Sequence, residues 1–303
     1  MGSIVEVLTQ NIFPIFLVAG LGFLLRRVKG LDPRVLAGVV FNGFSPCLVF
    51  VSLVNSQLSS GELVQLGAFT VLVIMLNGLV ALLVARLLRL SRMATVVLLL
   101  TVMFVNGGNY GLTLNQLRYG EEGLARAVVY YIVSSMLAYT LGVFIVSMGH
   151  LDWRQALRRL ARVPAVYAVV LAITVYSLEI TIPRPVMSSL ELAAAGAIPA
   201  MLVVLGMNMA GFLEGISLRL ALPAISLRLI VGPLLGLAVA GWLGLHGLSR
   251  STSIVEASMP PAVLTTLLAT EFDVQPGVVT SVVVVSTLFS PITLGVFITL
   301  LTL

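Results

Sequence analysis

Apolar runs of about twenty residues, separated by short polar loops, repeat along the whole sequence. A helix needs roughly 20 apolar residues to cross the hydrocarbon core of a bilayer. The first run counts as a span because Glu6 lies where a removable signal peptide would need a basic region. The pattern therefore predicts ten membrane-spanning helices, at residues 4–25, 35–55, 62–85, 94–117, 124–148, 164–180, 186–211, 220–243, 251–270 and 276–302.

Two of the predicted spans contain residues that disfavour a continuous membrane helix. The fourth span has the sequence NGGNYG at 106–111, and the ninth has EASMPP at 256–261. Glycine lowers helix propensity, adjacent prolines remove backbone donors, and asparagine amides need partners that hydrocarbon does not provide. Irregular backbone at this depth is tolerated only where protein buries it or where it lines a watery cavity. We therefore expect two interrupted helices, a pattern that marks the binding site of many transporters.

The interruptions lie at corresponding places in two halves of five spans each, residues 1–148 and 164–303, which the basic linker 149–163 joins. An odd number of spans per half forces the second half to run inverted. The second span and the seventh each contain a proline, a small residue and then a bulky apolar run. The helix-breaking residues that this inverted repeat predicts are Pro46, Pro199, Pro260 and Pro261.

Composition supports a membrane protein and excludes other classes. Hydrophobic residues make up 59% of the 303 residues and charged residues only 10%, against about a quarter charged in soluble domains. The net charge of +5 does not indicate nucleic-acid binding, because the basic residues sit in short loops between apolar spans. A single cysteine, Cys47, excludes an intrachain disulfide.

Lysine and arginine are distributed unevenly between two sets of loops. Twelve of the 17 lie in loops that follow odd-numbered spans, four lie in the other loops, and Arg228 falls inside span eight and is not counted. Because basic residues accumulate on the cytoplasmic side, we expect a cell-membrane protein with both termini outside and the linker in the cytoplasm. Residues 150–163 could form a short basic helix at the membrane interface.

Candidate binding residues lie in and beside the interruptions. Unwound backbone at Asn106 and Asn109 would let both amides contact one ligand, although they could instead only cap half-helix ends. Each interruption also starts a second half-helix, and two positive N-terminal ends that converge at the membrane centre favour an anion. The substrate-binding candidates are Asn106, Asn109, Tyr110, Gly111, Ser258, Met259, Pro260, Pro261, Asn42 and Ser45. Weaker candidates are Asn77, Tyr130, Tyr131, Ser134, Ser135 and Asn208, which interhelical contacts or, for the two tyrosines, an interfacial position would explain as well or better.

Glu256 is the one acidic residue that the pattern places well inside an interrupted span, shortly before Pro260. An ionisable residue at such depth is functional by default, so this carboxyl could take up a proton and couple transport to a proton gradient. Because it follows Arg250 by only six residues, it could equally sit at the outer interface.

Several kinds of chemistry have no support in the sequence. No Gly-rich loop of the Walker type is present, so ATP is not expected to drive the protein. The histidines, His150 and His246, lie in predicted loops, and no histidine, cysteine and carboxylate cluster has metal-binding spacing. No predicted span pairs a serine with a histidine or contains an aspartate. We therefore expect no enzymatic activity, no cofactor and no metal site.

The run from Asn106 to Leu112 resembles the Asn-x-Gly-Asn-x-Gly motif in the fourth span of the auxin efflux carrier family, which belongs with the bile acid and arsenite transporters. The ten spans, the basic linker, the proline of span two and residues 257–260 resemble the same family. Thr113 stands where the family pattern usually has proline.

This resemblance implies a scaffold of spans one, two, six and seven, and a transport domain of the remaining spans that crosses its broken helices. It also implies a homodimer that carries organic anions, such as auxins or small dicarboxylates, by an elevator-like motion. Asn109 and the Pro260–Pro261 kink would mark the crossing and its binding site. Sodium coupling is not expected, because few polar or acidic side chains lie near the crossing.

These observations favour a secondary active carrier of small organic anions. Two alternatives remain open: an organic-anion channel, which would conduct without counterflow, and a ligand-sensing membrane receptor, which would bind without flux. The expected partners are the anion, the lipid bilayer and a second copy of the chain, with no nucleic acid.

Overall fold

The structure of the protein is a computed structural model that describes residues 4–56, 58–147, 158, 161–210 and 218–301. The predicted interfacial helix at 150–163 falls largely outside these residues. Within them the chain is helical, with no strand longer than a single bridge between Val105 and Pro261. The helices are α1 (Ile4–Lys29), α2 (Pro33–Val54), α3 (Ser60–Leu87), α4 (Arg92–Met103), α5 (Gly107–Val146), α6 (Pro164–Ser177), α7 (Arg184–Ala210), α8 (Leu220–Trp242), α9 (Gly247–Ala257), α10 (Val263–Glu271) and α11 (Pro276–Leu301).

Within the described ranges, seven helices are long and apolar enough to cross a membrane: α1, α2, α3, α5, α7, α8 and α11. Their outer faces carry large exposed apolar side chains, among them Leu24, Val64 and Leu192, which lipid can solvate and water cannot. The protein is therefore an all-helical, multi-pass membrane protein. The count of ten spans stays a prediction. The predicted fourth and fifth spans share α5, which bends at Gly120, where φ is 67°.

The helices pack in two groups. In the first group, α1 packs on α7, α7 on α2, and α2 on α6. The second group consists of α3, α4, α5, α8, α9, α10 and α11. The α1–α7 contact depends on small residues: a methyl group on Gly206 would lie 1.6 Å from the carbonyl oxygen of Ala19, and one on Gly22 would lie 2.1 Å from that of Val203. Glycine here lets two backbones approach closely, as is common between membrane helices.

The prolines inside the helices do not all act alike. π-Helical turns precede Pro14, Pro46 and Pro233, at Val7–Ile12, Val40–Phe44 and Leu227–Val231. A wider turn accommodates the proline ring and its missing N–H without ending the helix. The predicted break at Pro46 is therefore wrong, because α2 continues through it as a widened helix.

Pro199 lies inside α7, which runs unbroken from Arg184 to Ala210, so the helix break predicted there is wrong as well. A single proline in a membrane helix loses one backbone bond, and neighbouring helices can compensate for this loss. Pro46 and Pro199, which the inverted repeat aligns, thus differ in local geometry: Pro46 follows a π-helical turn, and Pro199 lies within a regular α-helix.

Candidate functional site

The two interruptions predicted from the sequence are confirmed. α4 ends at Met103, and Phe104 has extended backbone angles, with φ of −104° and ψ of 121°. α9 ends at Ala257, and the chain becomes helical again only after Ala262, with φ of −68° and ψ of 140°. In both places a helix stops inside the protein and a second helix begins a few residues later.

The interrupted segments cross and satisfy each other's backbone groups. The Asn106 N–H donates to the Pro260 carbonyl at 2.8 Å, and the Ala262 N–H donates to the Phe104 carbonyl at 2.9 Å. These two bonds flank the antiparallel bridge between Val105 and Pro261. Prolines suit positions 260 and 261 because the two bonds use the carbonyl of Pro260 and the N–H of Ala262. Neither bond needs an N–H from a proline, so the missing N–H groups cost nothing in this pairing. The four backbone groups in these two bonds therefore have partners even though the backbone is not helical here.

A cavity of about 380 Å³ lies on one face of the crossing, between the two helix groups. The first group contributes α2 and α7, and the second contributes the α4–α5 segment, α5 and α10. Arg34, at the start of α2, is the single charged residue among the described lining residues. The polar lining residues are Ser45, Asn106, Asn109, Ser134, Ser135 and Asn208, and the aromatic ones are Phe41, Phe104, Tyr131 and Tyr139. Such a mainly apolar wall with a few polar groups is typical of small-molecule sites.

The predicted binding residues divide between the cavity and other places. Asn106, Asn109 and Ser45 line the cavity, and the Ser45 hydroxyl lies 3.4 Å from the hydroxyl of Tyr131. The side-chain Nδ2 of Asn106 is buried and has no hydrogen-bond partner in the part of the chain that the structure describes. A buried amide without a partner is costly, so this group is available to a ligand.

The structure places other predicted residues away from the cavity. Asn42 is exposed on α2, donates to the Gly38 carbonyl of its own helix at 2.8 Å and does not line the cavity, so its role as a binding residue stays a prediction. The buried candidates that do not line the cavity are Tyr110, Gly111, Ser258 and Met259. Pro260 and Pro261 form the crossing itself and do not line the cavity.

Glu256 lies beside the 107–111 segment but does not line the cavity. It is fully buried in protein, and its Oε1 accepts a bond from Asn115 Nδ2 at 3.0 Å. Its Oε2 has no hydrogen-bond partner among the described residues. A methyl group on Gly107 would lie 2.7 Å from Oε2, and one on Gly111 would lie 2.4 Å from it. Gly107 and Gly111 of the motif therefore leave room for the Glu256 carboxyl group. Gly111 thus contributes to the packing beside the cavity and not to its wall.

Arg228 is the residue that sequence reasoning missed. Only 1% of it is exposed, and it donates from Nη1 to the Val102 carbonyl at 2.8 Å and from Nη2 to the Ala257 carbonyl. A methyl group on Gly232, one turn later, would lie 2.6 Å from Nη2. An arginine inside an apolar span, followed by glycine one turn on, was the signal available in the sequence.

A second polar cluster lies in the second helix group, at the end where α3 begins. Arg126 on α5 donates from Nε to Glu62 of α3 at 2.9 Å and to Ser249 of α9 at 3.0 Å. Its Nη1 also donates to Glu122 at 2.7 Å. This cluster ties three helices of one group together, and it lies at the helix ends remote from Arg34.

Taken together, interrupted helices that cross inside an apolar helical protein, beside a cavity with polar groups, define the architecture of a membrane transporter. Residues 7–298 match the family described as "Membrane transport protein", and the chain belongs to that family.

Its relatives include both archaeal and plant proteins. An uncharacterised transporter of Methanothermobacter thermautotrophicus is 27% identical over 292 residues, which cover 94% of this chain and 96% of that protein. An uncharacterised transporter of Methanocaldococcus jannaschii is 24% identical over 85% of this chain and 86% of its own. Auxin efflux carrier component 4 of Arabidopsis thaliana is 28% identical over 49% of this chain and 24% of its own. The resemblance to auxin efflux carriers is thus confirmed, and the family is one of transporters, not enzymes.

Proposed function

We propose that the protein is a secondary active carrier of small organic anions, which bind in the cavity beside the helix crossing. The observation that carries this proposal is the buried Nδ2 of Asn106, which has no partner and belongs to the cavity wall together with Asn109. A volume of about 380 Å³ fits a small carboxylate.

Two helix ends support a negatively charged substrate. α5 begins at Gly107 and α10 begins at Val263, and both residues line the cavity. The first N–H groups of a helix have no partner within it, and the helix dipole adds partial positive charge there. Arg34 contributes a full positive charge among the lining residues, where it can attract an anion. The plant relatives are named as auxin efflux carriers, which agrees with an organic-anion cargo.

The experiment is counterflow in proteoliposomes with radiolabelled indole-3-acetate and malonate. Asn109→Ala is expected to lower kcat/KM about tenfold or more, because it removes a hydrogen bond to a charged ligand. Asn42→Ala is the matched control, since Asn42 does not line the cavity and bonds to its own helix, so this variant should leave transport unchanged. If Asn109→Ala transports as well as Asn42→Ala, the substrate does not bind in this cavity. Conductance without counterflow would indicate a channel instead.

We also propose that Glu256 takes up the coupling proton. Its carboxyl is buried beside the binding segment, and one oxygen has no partner. Glu256→Gln keeps the shape and the Asn115 contact but cannot exchange a proton. Transport by this variant is expected to lose its pH dependence while substrate affinity stays within about twofold of wild type. A pH profile parallel to that of the wild type would exclude Glu256 as the coupling group.

The elevator motion, the inverted repeat with halves 1–148 and 164–303, and the homodimer belong to the same proposal. The position of the cavity between two helix groups supports a movement of one group against the other. The excess of basic residues in one set of loops supports both termini outside the cell membrane.

A further inference from the structure

The two helix interruptions leave two carbonyl groups without their helical donors. The Val102 carbonyl would accept from the N–H of residue 106 in a continuous helix, but Asn106 donates to Pro260 instead. The Ala257 carbonyl would accept from residue 261, which is a proline and has no N–H. Both carbonyls lie at the C-terminal ends of α4 and α9, where a helix carries partial negative charge.

Arg228 satisfies both of these carbonyls with one side chain. Nη1 donates to Val102 and Nη2 donates to Ala257, so a single planar guanidinium joins the ends of the two interrupted helices. Arginine alone offers such a rigid fork of donors with a permanent charge. Gly232 leaves the space that the guanidinium occupies.

The charge of Arg228 is not neutralised by a bonded carboxylate. The ion pairs found in the described ranges join Arg126 to Glu62 and to Glu122, and Arg228 takes part in none of them. Glu256 precedes Ala257, but its carboxyl bonds to Asn115. A buried cation that bonds to helix ends and to no carboxylate leaves positive potential around it. The cavity begins two residues beyond Val102, at Phe104.

We propose that Arg228 positions the crossing and supplies the fixed positive charge that makes the adjacent cavity prefer an anion to its neutral analogue. This inference rests on the proposed function, because it concerns the substrate that the cavity selects. Arg228 is a positioning residue that does not line the cavity, so its effect on the substrate passes through the 104–106 segment and through its electric field.

The first experiment measures binding of indole-3-acetate and of indole-3-acetamide to the purified protein in nanodiscs. A unit charge on the order of 10 Å away, at an effective dielectric constant of about 20, changes affinity roughly tenfold. Arg228→Gln is therefore expected to reduce the preference for the acid over the amide roughly tenfold. Arg228→Lys retains the charge and should retain the preference. Glu256→Gln removes no positive charge and must not reduce the preference.

An unchanged preference in folded Arg228→Gln, or an equal loss in Arg228→Lys, would overturn the electrostatic part of the inference. If the wild type itself binds indole-3-acetate no better than indole-3-acetamide, the proposed preference for organic anions is wrong, whatever the Arg228 variants do. Monodispersity and the thermal unfolding midpoint of each variant show whether it is folded.

The second experiment tests the positioning role without any substrate. Hydrogen–deuterium exchange reports on the Asn106 and Ala262 amides that form the crossing. Both Arg228→Lys and Arg228→Gln are expected to raise exchange in peptides covering 104–112 and 258–264, because neither side chain can bridge two carbonyls as a fork. Arg126→Gln, which removes a half-buried arginine at the opposite helix ends, is the control and should leave these peptides unchanged. Unchanged exchange in both Arg228 variants would refute the positioning role.

Discussion

The carboxyl group of Glu256 restricts which residues can occupy positions 107 and 111. Both positions face the buried carboxyl at distances that a methyl group cannot share with it. The carboxyl is held by Asn115, so it has little freedom to move away. Glycine at these positions is therefore required by packing, in addition to its role in loosening the helix.

Gly111→Ala is expected to destabilise the protein by about 1–3 kcal/mol, because a methyl 2.4 Å from the Glu256 carboxyl overpacks a fully buried site. The thermal unfolding midpoint in detergent measures this effect. Gly43→Ala is the matched control, since Gly43 is an exposed glycine with no atom within 4 Å of an added methyl. A midpoint for Gly111→Ala as high as that of the control would show that the carboxyl is free to move.

Individual site residues were only partly predictable from the sequence. Asn106, Asn109 and Ser45 could be assigned because polar groups in an apolar run need a reason to be there. Asn42 looked equivalent to Ser45, but helices that are apolar on every face give no sign of which side faces protein. The contacts of Arg228 depend on two carbonyls more than 25 residues away on either side, which no local pattern encodes.

The helices show why proline alone is a weak sign of a break. Pro260 and Pro261 end α9 because two consecutive residues lack donors and the chain gains a bridge in return. Pro46 follows a π-helical turn, and Pro199 is absorbed in α7. The outcome depends on whether neighbouring segments offer the freed carbonyl a partner, and that is decided by tertiary structure.

The interruption in α4–α5 was predictable for a different reason. A segment with two asparagines and three glycines is a poor helix former, so the sequence predicts a helix interruption at 106–111. The pairing of this segment with the α9–α10 interruption was expected from their corresponding positions. The antiparallel bridge between Val105 and Pro261 was not predictable, because its register depends on where each helix stops.

The whole molecule places its cavity where the two helix groups meet. α2 and α7 supply one wall, and α5, α10 and the crossing supply the other. Inside the second group, Arg228 and the Arg126 cluster tie helices to one another through buried hydrogen bonds. Between the groups, the cavity walls meet through rings such as Phe41 and Tyr139, whose centroids lie 6.0 Å apart. Hydrogen bonds also join the groups, such as that from Asn11 Nδ2 to the Leu117 carbonyl at 3.3 Å, but the ion pairs found in the described ranges lie within the second group. This difference favours movement of whole groups.

Cross-linking tests this movement directly. Phe41→Cys and Tyr139→Cys, in a Cys47→Ser background, place thiols on opposite groups, where a short bifunctional methanethiosulfonate can join them. If the groups move during transport, joining them should stop counterflow, and reduction should restore it. The control joins Gln65→Cys to Leu243→Cys, because Gln65 already bonds to Leu243 within one group at 2.6 Å. Transport that survives the first cross-link would mean that the two groups do not need to separate, and it would favour a fixed pathway through the cavity.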